Sequence, residues 1–426
     1  MDNGYTTIGL RDGWGGHSPF GLSLADRRRH MYALGQTGVG KSTLIFNMAV
    51  QDICAGRGIA FIDPHGDCAQ ALPDFVPPWR INDVVIFDPA DTEYPIGLNL
   101  IRARSKDERH LVASSVVSAF KSIWHDSWGP RLEYILSMAV SALLECENVS
   151  LLGLPRMLVD AEYREWVVRQ VKDPIVRTFW THEFAQYNER FMQEAIAPVL
   201  NKVNQLFTSP QLRNVLGQVK SKIDARFMMD NGRILIANVS KGRLGADKAN
   251  LIGALLVTQF QLAAMSRANV PEQERRDFMM FVDEFQSFTS DSFVSILSEA
   301  RKYSLALVLS NQYLDQIRPE IRSAVFGNVG SVISFRVGED DAEVLEKQFG
   351  GAYTAGQFTS LSNHEIYAKL LRNGEWNEPF LGKTLPVSAI RHGRAEIILR
   401  VSREKYGMKR RKIEDKIRRW TGKFTH

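Results

Sequence analysis

Cysteine is scarce in this chain of 426 residues, which contains three. They are Cys54, Cys68 and Cys146, which lie far apart and form no C-x-x-C pair. Widely separated thiols offer neither the spacing of a zinc site nor a disulfide framework, and they are typical of proteins whose thiols stay reduced. The cysteines therefore predict a cytoplasmic location and exclude a cysteine-based metal site.

Long apolar runs are also missing. No uninterrupted run reaches the length of about 18 residues that suggests a membrane-spanning helix. The apolar stretch at residues 251–265 contains Gln259 and Gln261, so we interpret it as a buried helix. The N-terminus lacks the basic and then apolar pattern of a signal peptide. The sequence thus predicts a chain without a membrane span of its own.

A net positive charge is missing outside the C-terminal tail. The formal net charge is +5, but residues 401–426 contain ten Lys or Arg and three Asp or Glu, a local balance of +7. The rest of the chain is therefore close to −2. Because the basic character belongs to a tail, the isoelectric point by itself is weak support for nucleic-acid binding.

One stretch fits the G-x-x-x-x-G-K-[ST] phosphate-binding pattern at every fixed position. It comprises Gly35, Gln36, Thr37, Gly38, Val39, Gly40, Lys41 and Ser42, followed by Thr43. Its glycines let backbone N–H groups surround phosphates, and the next helix adds the positive end of its dipole. Lys41 would contact the β- and γ-phosphates, and the Ser42 hydroxyl would be a Mg²⁺ ligand. An apolar run before it and helical spacing after it predict a strand–loop–helix site for a nucleoside triphosphate.

Short apolar runs alternate with helical segments on both sides of a long insertion. Residues 58–62, 83–87, 233–239, 278–282, 305–309 and 331–337 are predicted strands. Such buried runs, each stopped by Gly, Pro or Asp, indicate an α/β fold with a mainly parallel sheet covered on both faces. Residues 1–30 are predicted to form an entry loop with a short strand, and residues 365–374 a late hairpin.

Strand signals disappear between the second and third of these runs, where helical periods take over. We therefore predict four parts. They are a nucleotide-binding domain in two parts, residues 1–101 and 226–400, an inserted all-helical domain at residues 102–225, and a basic C-terminal helix or tail at residues 401–426.

Two carboxylates follow the apolar strand at residues 278–282. Asp283 could hold the Mg²⁺ shell, and Glu284 could orient or deprotonate the attacking water. An Asp-Glu pair at a strand end is a weak signal by itself. Together with the phosphate loop, it predicts hydrolysis as well as binding.

Three further features allow two readings each. Asp63, His65 and Asp67 follow another strand and could approach the triphosphate or only cap a turn. Gln312 follows the strand at residues 305–309 and could sense the γ-phosphate or cap a helix. Arg301, at the end of a predicted helix over residues 292–303, could act as an arginine finger on a neighbouring subunit or form a surface salt bridge.

These motifs together resemble those of the FtsK–HerA superfamily of hexameric DNA pumps, and within it the TraD/TraG-type coupling ATPases of conjugation and type IV secretion. The residues that carry the resemblance are 35–43, 62–67, 95–99, 281–285, 299–303 and 311–312. The phosphate loop is common to many NTPases, whereas the ordered set with a helical insertion is more specific. The resemblance extends over most of the chain.

The resemblance implies a RecA-like P-loop NTPase fold with ATP and Mg²⁺ as cofactors. By it, Lys41 and Ser42 bind ATP–Mg²⁺, with Ser42 and Asp283 as metal ligands. Glu284 orients or deprotonates the attacking water, and Gln312 senses the γ-phosphate. Arg301 is the arginine finger that acts on the nucleotide of a neighbouring subunit. It also implies a hexamer with DNA in a central channel, and relaxase or secretion-channel proteins as further partners. Coupling proteins usually begin with membrane-spanning helices, and this sequence shows none. It could be a soluble coupling protein that docks on a separate partner at the inner membrane, a mobile-element or phage DNA translocase, or a defence-associated relative.

Two basic features compete as DNA contacts. One is the loop with Lys241 and Arg243, and the other is the tail with Lys409, Arg410, Arg411 and Lys412. Ile413, Ile417 and Trp420 have helical spacing in the tail, which predicts an amphipathic helix docked by its apolar side. Its basic face would meet DNA, an anionic membrane surface or only solvent.

The first functional hypothesis is an ATP-hydrolysing ring motor that translocates DNA, in conjugation, type IV secretion or a mobile element. The alternatives are a nucleotide-gated recruitment or assembly ATPase and an ATPase that secretes protein substrates. Stimulation of hydrolysis by DNA separates the first hypothesis from the other two.

Overall fold

The apolar runs of the sequence become strands of one large sheet. The computed structural model describes residues 4–13, 16–291 and 293–422. The strands are β1 (Tyr5–Gly13), β2 (Gly16–Ser23), β3 (Met31–Leu34), β4 (Gly58–Asp63), β5 (Val84–Phe87), β6 (Ile234–Asn238), β7 (Phe278–Val282), β8 (Leu305–Asn311), β9 (Ser331–Ser334), β10 (Glu365–Lys369), β11 (Leu371–Arg372), β12 (Glu375–Trp376) and β13 (Phe380–Thr384). All except the small hairpin β11–β12 belong to an 11-stranded sheet in the order β2-β1-β13-β10-β9-β3-β8-β7-β4-β6-β5.

The sheet is parallel where the nucleotide motifs lie. Neighbouring strands from β9 to β5 pair in parallel, and those from β2 to β9 pair antiparallel. Every residue of β3, β4, β6, β7, β8 and β9 is buried, so both faces of this part are covered. The predicted α/β fold with a mainly parallel sheet is confirmed.

Helices make up most of the remaining structure. They are α1 (Leu24–Arg27), α2 (Lys41–Cys54), α3 (Asp67–Ala71), α4 (Arg109–Ile123), α5 (Pro130–Leu144), α6 (Gly153–Val159), α7 (Ala161–Val168), α8 (Pro174–Thr178), α9 (Glu189–Phe207), α10 (Pro210–Leu216), α11 (Ala225–Asp230), α12 (Lys241–Leu244), α13 (Ala246–Met265), α14 (Phe293–Glu299), α15 (Pro319–Asn328), α16 (Glu339–Gln348), α17 (Ala355–Thr359), α18 (Ala395–Tyr406) and α19 (Arg410–Gly422). Short 3₁₀ helices include Phe285–Phe288 and Ala300–Tyr303, which flank α14.

The chain packs into two compact units. One contains the whole sheet and comprises Met1–Phe87, Ala225–Ser240 and Ala263–Ser402. The other comprises Asp88–Asp224, Lys241–Leu262 and Arg403–His426. Its described residues contain helices α4–α10, α12 and α19, with parts of α13 and α18, and no strand of the sheet. The domain bounds predicted from the sequence, with an all-helical insertion at residues 102–225, stay a prediction.

The N-terminal segment differs from its prediction. Residues 5–23 form the antiparallel hairpin β1–β2 rather than an entry loop with one short strand. Ile8, Phe20 and Leu22 are buried and give the hairpin an apolar face. The glycines between them hid this alternation in the sequence. At the register shift after Thr7, the Gln51 side chain of α2 exchanges two hydrogen bonds of 2.9 Å with the Thr7 backbone.

Three other boundaries were also predicted imperfectly. The helix predicted over residues 292–303 is α14 followed by a 3₁₀ turn, with residue 292 outside the described part. The loop after β6 contains the short helix α12, and the strand predicted to reach residue 337 ends at Ser334. Element ends depend on tertiary contacts, so their exact residues are poorly encoded in local sequence.

A buried ion network anchors the N-terminal hairpin and the helix that follows the phosphate loop. Asp52 of α2 accepts two hydrogen bonds of 2.7 Å from Arg27, and one of 2.6 Å from Arg57. The same two arginines donate to the Thr6 hydroxyl of β1. Because buried charges are tolerated only when paired and hydrogen-bonded, these residues fix β1, α1 and α2 relative to one another.

One helix has the length and composition of a membrane span. The segment Ala246–Asn269, which is α13 with its 3₁₀ extension, has a mean hydropathy of 1.3 over its most apolar window. Within that window, 72% of the helix is buried inside the protein. A core helix meets the same criteria, and the burial agrees with the interpretation of residues 251–265 as a buried helix.

Candidate nucleotide site

The phosphate loop connects β3 to α2 at the carboxyl end of the parallel strands. Gly38 and Gly40 have φ values of 81° and 117°, which a residue with a side chain rarely adopts. A Cβ atom on Gly40 would also lie 2.7 Å from Nδ1 of His364. Glycine is therefore required at Gly40, directly before α2, both by the backbone conformation and by the close approach of His364.

Lys41 lies inside the loop. Its Nζ donates hydrogen bonds to the backbone oxygens of Gly35 at 2.5 Å and Gln36 at 2.8 Å, and the residue is 5% exposed. Burial lowers the pKa of Lys41, while Glu284 and Asp283 act in the opposite direction. The loop thus holds a cationic side chain next to two carboxylates and beside the N–H groups at the start of α2, an arrangement suited to a polyphosphate.

Ser42 and Asp283 form an oxygen pair that fits a magnesium ion. The Ser42 Oγ donates to the Asp283 Oδ2 at 2.9 Å. In an octahedral shell with metal–oxygen distances of about 2.1 Å, neighbouring ligand oxygens lie about 3 Å apart, so both could belong to one shell. No cluster of three or more His, Cys, Asp or Glu side chains suited to a metal occurs among the described residues. Phosphate and water oxygens would therefore have to complete the shell.

Ser310, which the sequence reading missed, orients the same carboxylate. Its hydroxyl donates to the Asp283 Oδ1, which also accepts the Glu284 backbone N–H at 3.1 Å. Ser310 is fully buried near the end of β8, next to β7 in the sheet. These contacts leave Oδ2 of Asp283 facing Ser42.

Glu284 is held by two amides. The Gln312 Nε2 donates to its Oε1 at 2.9 Å, and the Gln286 Nε2 donates to its Oε2 at 2.6 Å. The Glu284 backbone has a φ of 49°, a left-handed conformation that is uncommon for a residue with a side chain and frequent at functional sites. The side chain of Gln312 thus contacts a carboxylate rather than a helix end.

The segment that carries Gln312 is fixed by a buried tyrosine in the strand before the phosphate loop. The Tyr32 hydroxyl donates to the Asn311 Oδ1, and the Asn311 Nδ2 donates to the Tyr313 oxygen at 2.7 Å. Burial raises the pKa of Tyr32 well above its ordinary value, so its hydroxyl remains a donor. Tyr32 therefore links the phosphate loop to the residue before Gln312.

A cavity of about 370 Å³ opens beside the loop. Gln36, Thr37 and Gln312 are among the residues that line it. The Arg336 Nε donates to the Gln36 Oε1 at 3.3 Å, and the Gln36 N–H donates to the Arg336 backbone oxygen at 2.9 Å. The loop is thus braced by residues after β9 that the sequence reading did not identify.

Arg301 lies away from this cluster. It is exposed on the 3₁₀ turn before β8, and its side chain forms no hydrogen bond or ion pair within the described parts of the chain. Gln312 follows the other end of β8, whose seven residues span roughly 20 Å. Arg301 is therefore too far to serve the nucleotide site of its own chain, and the alternative of a surface salt bridge within the chain is not observed.

His30 connects helix α14, which precedes Arg301 in the chain, with strand β8 of the sheet. Its Nδ1 accepts the Leu307 N–H at 3.0 Å, so the ring proton is on Nε2, which lies 3.2 Å from the Leu297 oxygen. Burial lowers the pKa of His30 to about 4. The neutral imidazole of His30, the residue before β3, thus connects α14 to β8.

The turn after β4 shows the capping role that its sequence allowed. The Asp63 carboxylate accepts the His65 N–H at 2.8 Å and the Ala69 N–H at 2.9 Å. His65 and Asp67 are exposed. Asp63 therefore caps the turn and the start of α3.

The candidate DNA contacts lie in the helical unit and are dispersed. Arg243 of α12, which begins at Lys241, pairs with Asp88 at 2.5 Å. Arg410 pairs with Glu414 at 2.7 Å. Lys409, Arg411 and Lys412 are exposed.

The tail forms the predicted amphipathic helix, α19. Ile413 is 1% exposed, and the Trp420 ring lies 5.6 Å from that of Tyr163 and 4.7 Å from the guanidinium carbon of Arg156. Docking by the apolar side is therefore confirmed. The basic side chains remain on the outer surface.

Comparison with known proteins identifies relatives. A sequence model described as the type IV secretion-system coupling protein DNA-binding domain matches residues 19–362. Among curated proteins, no match was found. The plasmid coupling protein TrwB in complex with ADP and Mg²⁺ is similar in structure, with a TM-score of 0.65 at 16% identity over 88% of this chain and 90% of that one. TrwB with the non-hydrolysable ATP analogue ADPNP gives 0.65 at 16% identity over 87% and 88% of the two chains.

VirB4 of Thermoanaerobacter pseudethanolicus is also similar, with a TM-score of 0.59 at 14% identity over 91% of this chain and 98% of that one. At such identities, the solved structures establish the shared RecA-like P-loop NTPase fold. The sequence model covers most of the chain, and it agrees with the resemblance found in the motifs. The protein belongs to the family of the type IV secretion-system coupling protein DNA-binding domain.

Proposed function

We propose that this chain is an ATP-hydrolysing motor that translocates DNA. The observation that carries the proposal is the hydrogen-bonded series Ser42–Asp283 and Glu284–Gln312 next to the phosphate loop. It combines a metal-binding pair with a carboxylate suited to water activation. Membership of a DNA-binding coupling-protein family supports DNA as the substrate that moves.

ATP and Mg²⁺ are the proposed cofactors. TrwB, which shares the fold, has been solved with ADP and Mg²⁺ and with an ATP analogue. Here the loop N–H groups and Lys41 would hold the phosphates, while Ser42 and Asp283 would hold the metal. The metal would neutralise phosphate charge when bound.

Each remaining polar group has a proposed task in hydrolysis. Glu284 accepts a proton from the attacking water, since its carboxylate lies between the two amides at the end of the strands. Gln312 responds to the γ-phosphate, because it connects Glu284 to the edge of the cavity beside the loop. Arg301 acts on the nucleotide of a neighbouring copy.

A ring is the assembly that this division of tasks requires. An arginine that cannot reach its own site but serves the next one implies a closed head-to-tail oligomer, and we propose a hexamer. Relaxase or secretion-channel proteins are the proposed partners, and such a partner would place the ring at the inner membrane.

Hydrolysis with and without DNA tests the proposed function. We expect single- or double-stranded DNA to raise the steady-state turnover of ATP severalfold, because a motor couples its cycle to the polymer that it moves. The measurement is phosphate release at saturating ATP. An ATP turnover that neither form of DNA changes would contradict the proposal. Stimulation of turnover by a secreted protein instead would favour a protein-transport ATPase.

The same assay locates the DNA contact. Replacing exposed Arg411 and Lys412 of α19 with glutamate should raise the DNA concentration needed for half-maximal stimulation, with DNA-free turnover unchanged. It should also reduce the salt slope of binding by about one per lost phosphate contact. Lys347→Glu with Arg372→Glu, two exposed residues elsewhere, is the control for charge. An unchanged slope would exclude Arg411 and Lys412 as phosphate contacts and leave Lys409, Arg410, Lys241 and Arg243 to be tested.

A further inference from the structure

We propose that Gln286 is a positioning residue that holds the Glu284 carboxylate in the orientation needed for water activation. This inference rests on the proposed function, since it assigns a partner to the residue proposed to activate water. Gln286 lies on the 3₁₀ helix Phe285–Phe288, which directly follows Asp283 and Glu284. Its Nε2 donates to the Glu284 Oε2 at 2.6 Å. Nothing in the phosphate-loop or Asp-Glu patterns marks this glutamine.

The oxygen of the Gln286 side-chain amide indicates that the contact with Glu284 determines how this amide is oriented. Its Oε1 is buried and has no hydrogen-bond partner among the described residues. A buried acceptor without a partner costs free energy. A carboxylate accepts hydrogen bonds, so only the NH₂ group of the amide can face it. The amide therefore points its NH₂ group toward Glu284, and its oxygen is left without a hydrogen bond.

The backbone beneath Gln286 is held by aromatic packing. Phe285 stacks on Phe293 with ring centroids 5.5 Å apart, and it meets Tyr32 edge to face at 6.0 Å. The Ser287 N–H donates to the backbone oxygen of Glu284 at 2.9 Å, which closes the turn. Gln286 therefore projects from a braced turn and can impose a position on Glu284 rather than follow it.

The two amides around Glu284 differ in where they come from. Gln312 follows β8 and borders the cavity beside the phosphate loop, whereas Gln286 belongs to the same short segment as Glu284. Gln312 can exchange the carboxylate for a phosphate oxygen while Gln286 keeps hold of Oε2. Each carboxylate oxygen has about two lone-pair sites, so one amide on each oxygen leaves room for a water.

Gln286→Met tests the positioning role, because methionine keeps the length of the side chain and removes the amide. We expect kcat to fall about tenfold, with the KM for ATP, the Kd for a non-hydrolysable ATP analogue and the Tm unchanged. The control is Gln70→Met on α3, where the glutamine is exposed and its side chain forms no hydrogen bond within the described residues. Gln70→Met should match the unmodified protein in all four quantities.

A double variant separates positioning from a general structural effect. In Glu284→Gln protein, adding Gln286→Met should cause no further loss in single-turnover hydrolysis, since the carboxylate that Gln286 orients is already gone. A full additional tenfold loss would overturn the inference, as would an unchanged kcat in Gln286→Met alone or a fall in kcat accompanied by a lower Tm and weaker analogue binding. If Glu284→Gln itself retained full turnover, the proposed function would fail instead.

Discussion

Arg301→Ala is expected to abolish ATP turnover by the assembled protein while leaving ATP binding intact. Arginine fingers contribute about 10³- to 10⁵-fold to kcat in P-loop NTPases, so the loss should be close to complete. Arg301 is exposed and stands roughly 20 Å from Gln312, at the other end of β8, so it cannot supply this charge to its own site. The measurements are phosphate release and binding of a fluorescent ATP analogue.

Mixing two inactive variants tests the action in trans. In a ring made from Arg301→Ala and Glu284→Gln chains, some interfaces bring an intact Arg301 to an intact Glu284, and partial turnover should return. Lys302→Ala, which alters the exposed neighbour on the same 3₁₀ turn, is the matched control and should remain active. Full hydrolysis by a protein that light scattering shows to be monomeric would disprove the finger assignment.

Lys41→Ala and Glu284→Gln are expected to stop turnover in different ways. Glu284→Gln should lower kcat by about 10²- to 10⁴-fold and keep ATP bound, because only the acceptor of the water proton is lost. Lys41→Ala should also weaken ATP affinity, since it removes the cation that the loop holds beside the phosphate positions.

Equilibrium binding and phosphate release distinguish the two variants. Lys347→Ala and Glu343→Gln alter exposed residues of α16 and should leave both quantities unchanged. Retention of turnover in both Lys41→Ala and Glu284→Gln would contradict the assignment of the site. Equal loss of ATP affinity in both would contradict the separate roles of Lys41 in binding and Glu284 in catalysis.

The sequence could predict the elements whose information is local. The phosphate loop has fixed glycine, lysine and serine positions, and its flanking strand and helix have distinct apolar periods. Asp283 and Glu284 directly follow a fully apolar strand. Parallel strands bring their carboxyl ends to one edge of the sheet, so the closeness of these residues to the phosphate loop followed from topology. Ser42 and Asp283 are 241 positions apart and were nonetheless predicted to meet.

The residues that the sequence reading missed act through contacts between distant segments. Ser310 and Gln286 belong to no motif, and only the packing of β8 against β7 and the left-handed turn at Glu284 aim them at the carboxylates. Arg336, which follows β9, and His364, which precedes β10, both reach the loop from much later in the chain. Gln286 stands two positions after a predicted catalytic glutamate, but this spacing is no signal of a contact, because the direction of a side chain cannot be read from spacing alone.

The central claim is that ATP hydrolysis by this chain drives movement along DNA, and displacement of streptavidin from biotinylated DNA ends tests it most directly. The intact protein should release streptavidin from single- or double-stranded DNA with ATP and Mg²⁺, and it should release none with a non-hydrolysable analogue. Glu284→Gln protein should bind the DNA and release none with ATP. If hydrolysis proceeded at its full rate on both forms of DNA while streptavidin stayed bound to every end, the claim that this chain is a DNA motor would be contradicted.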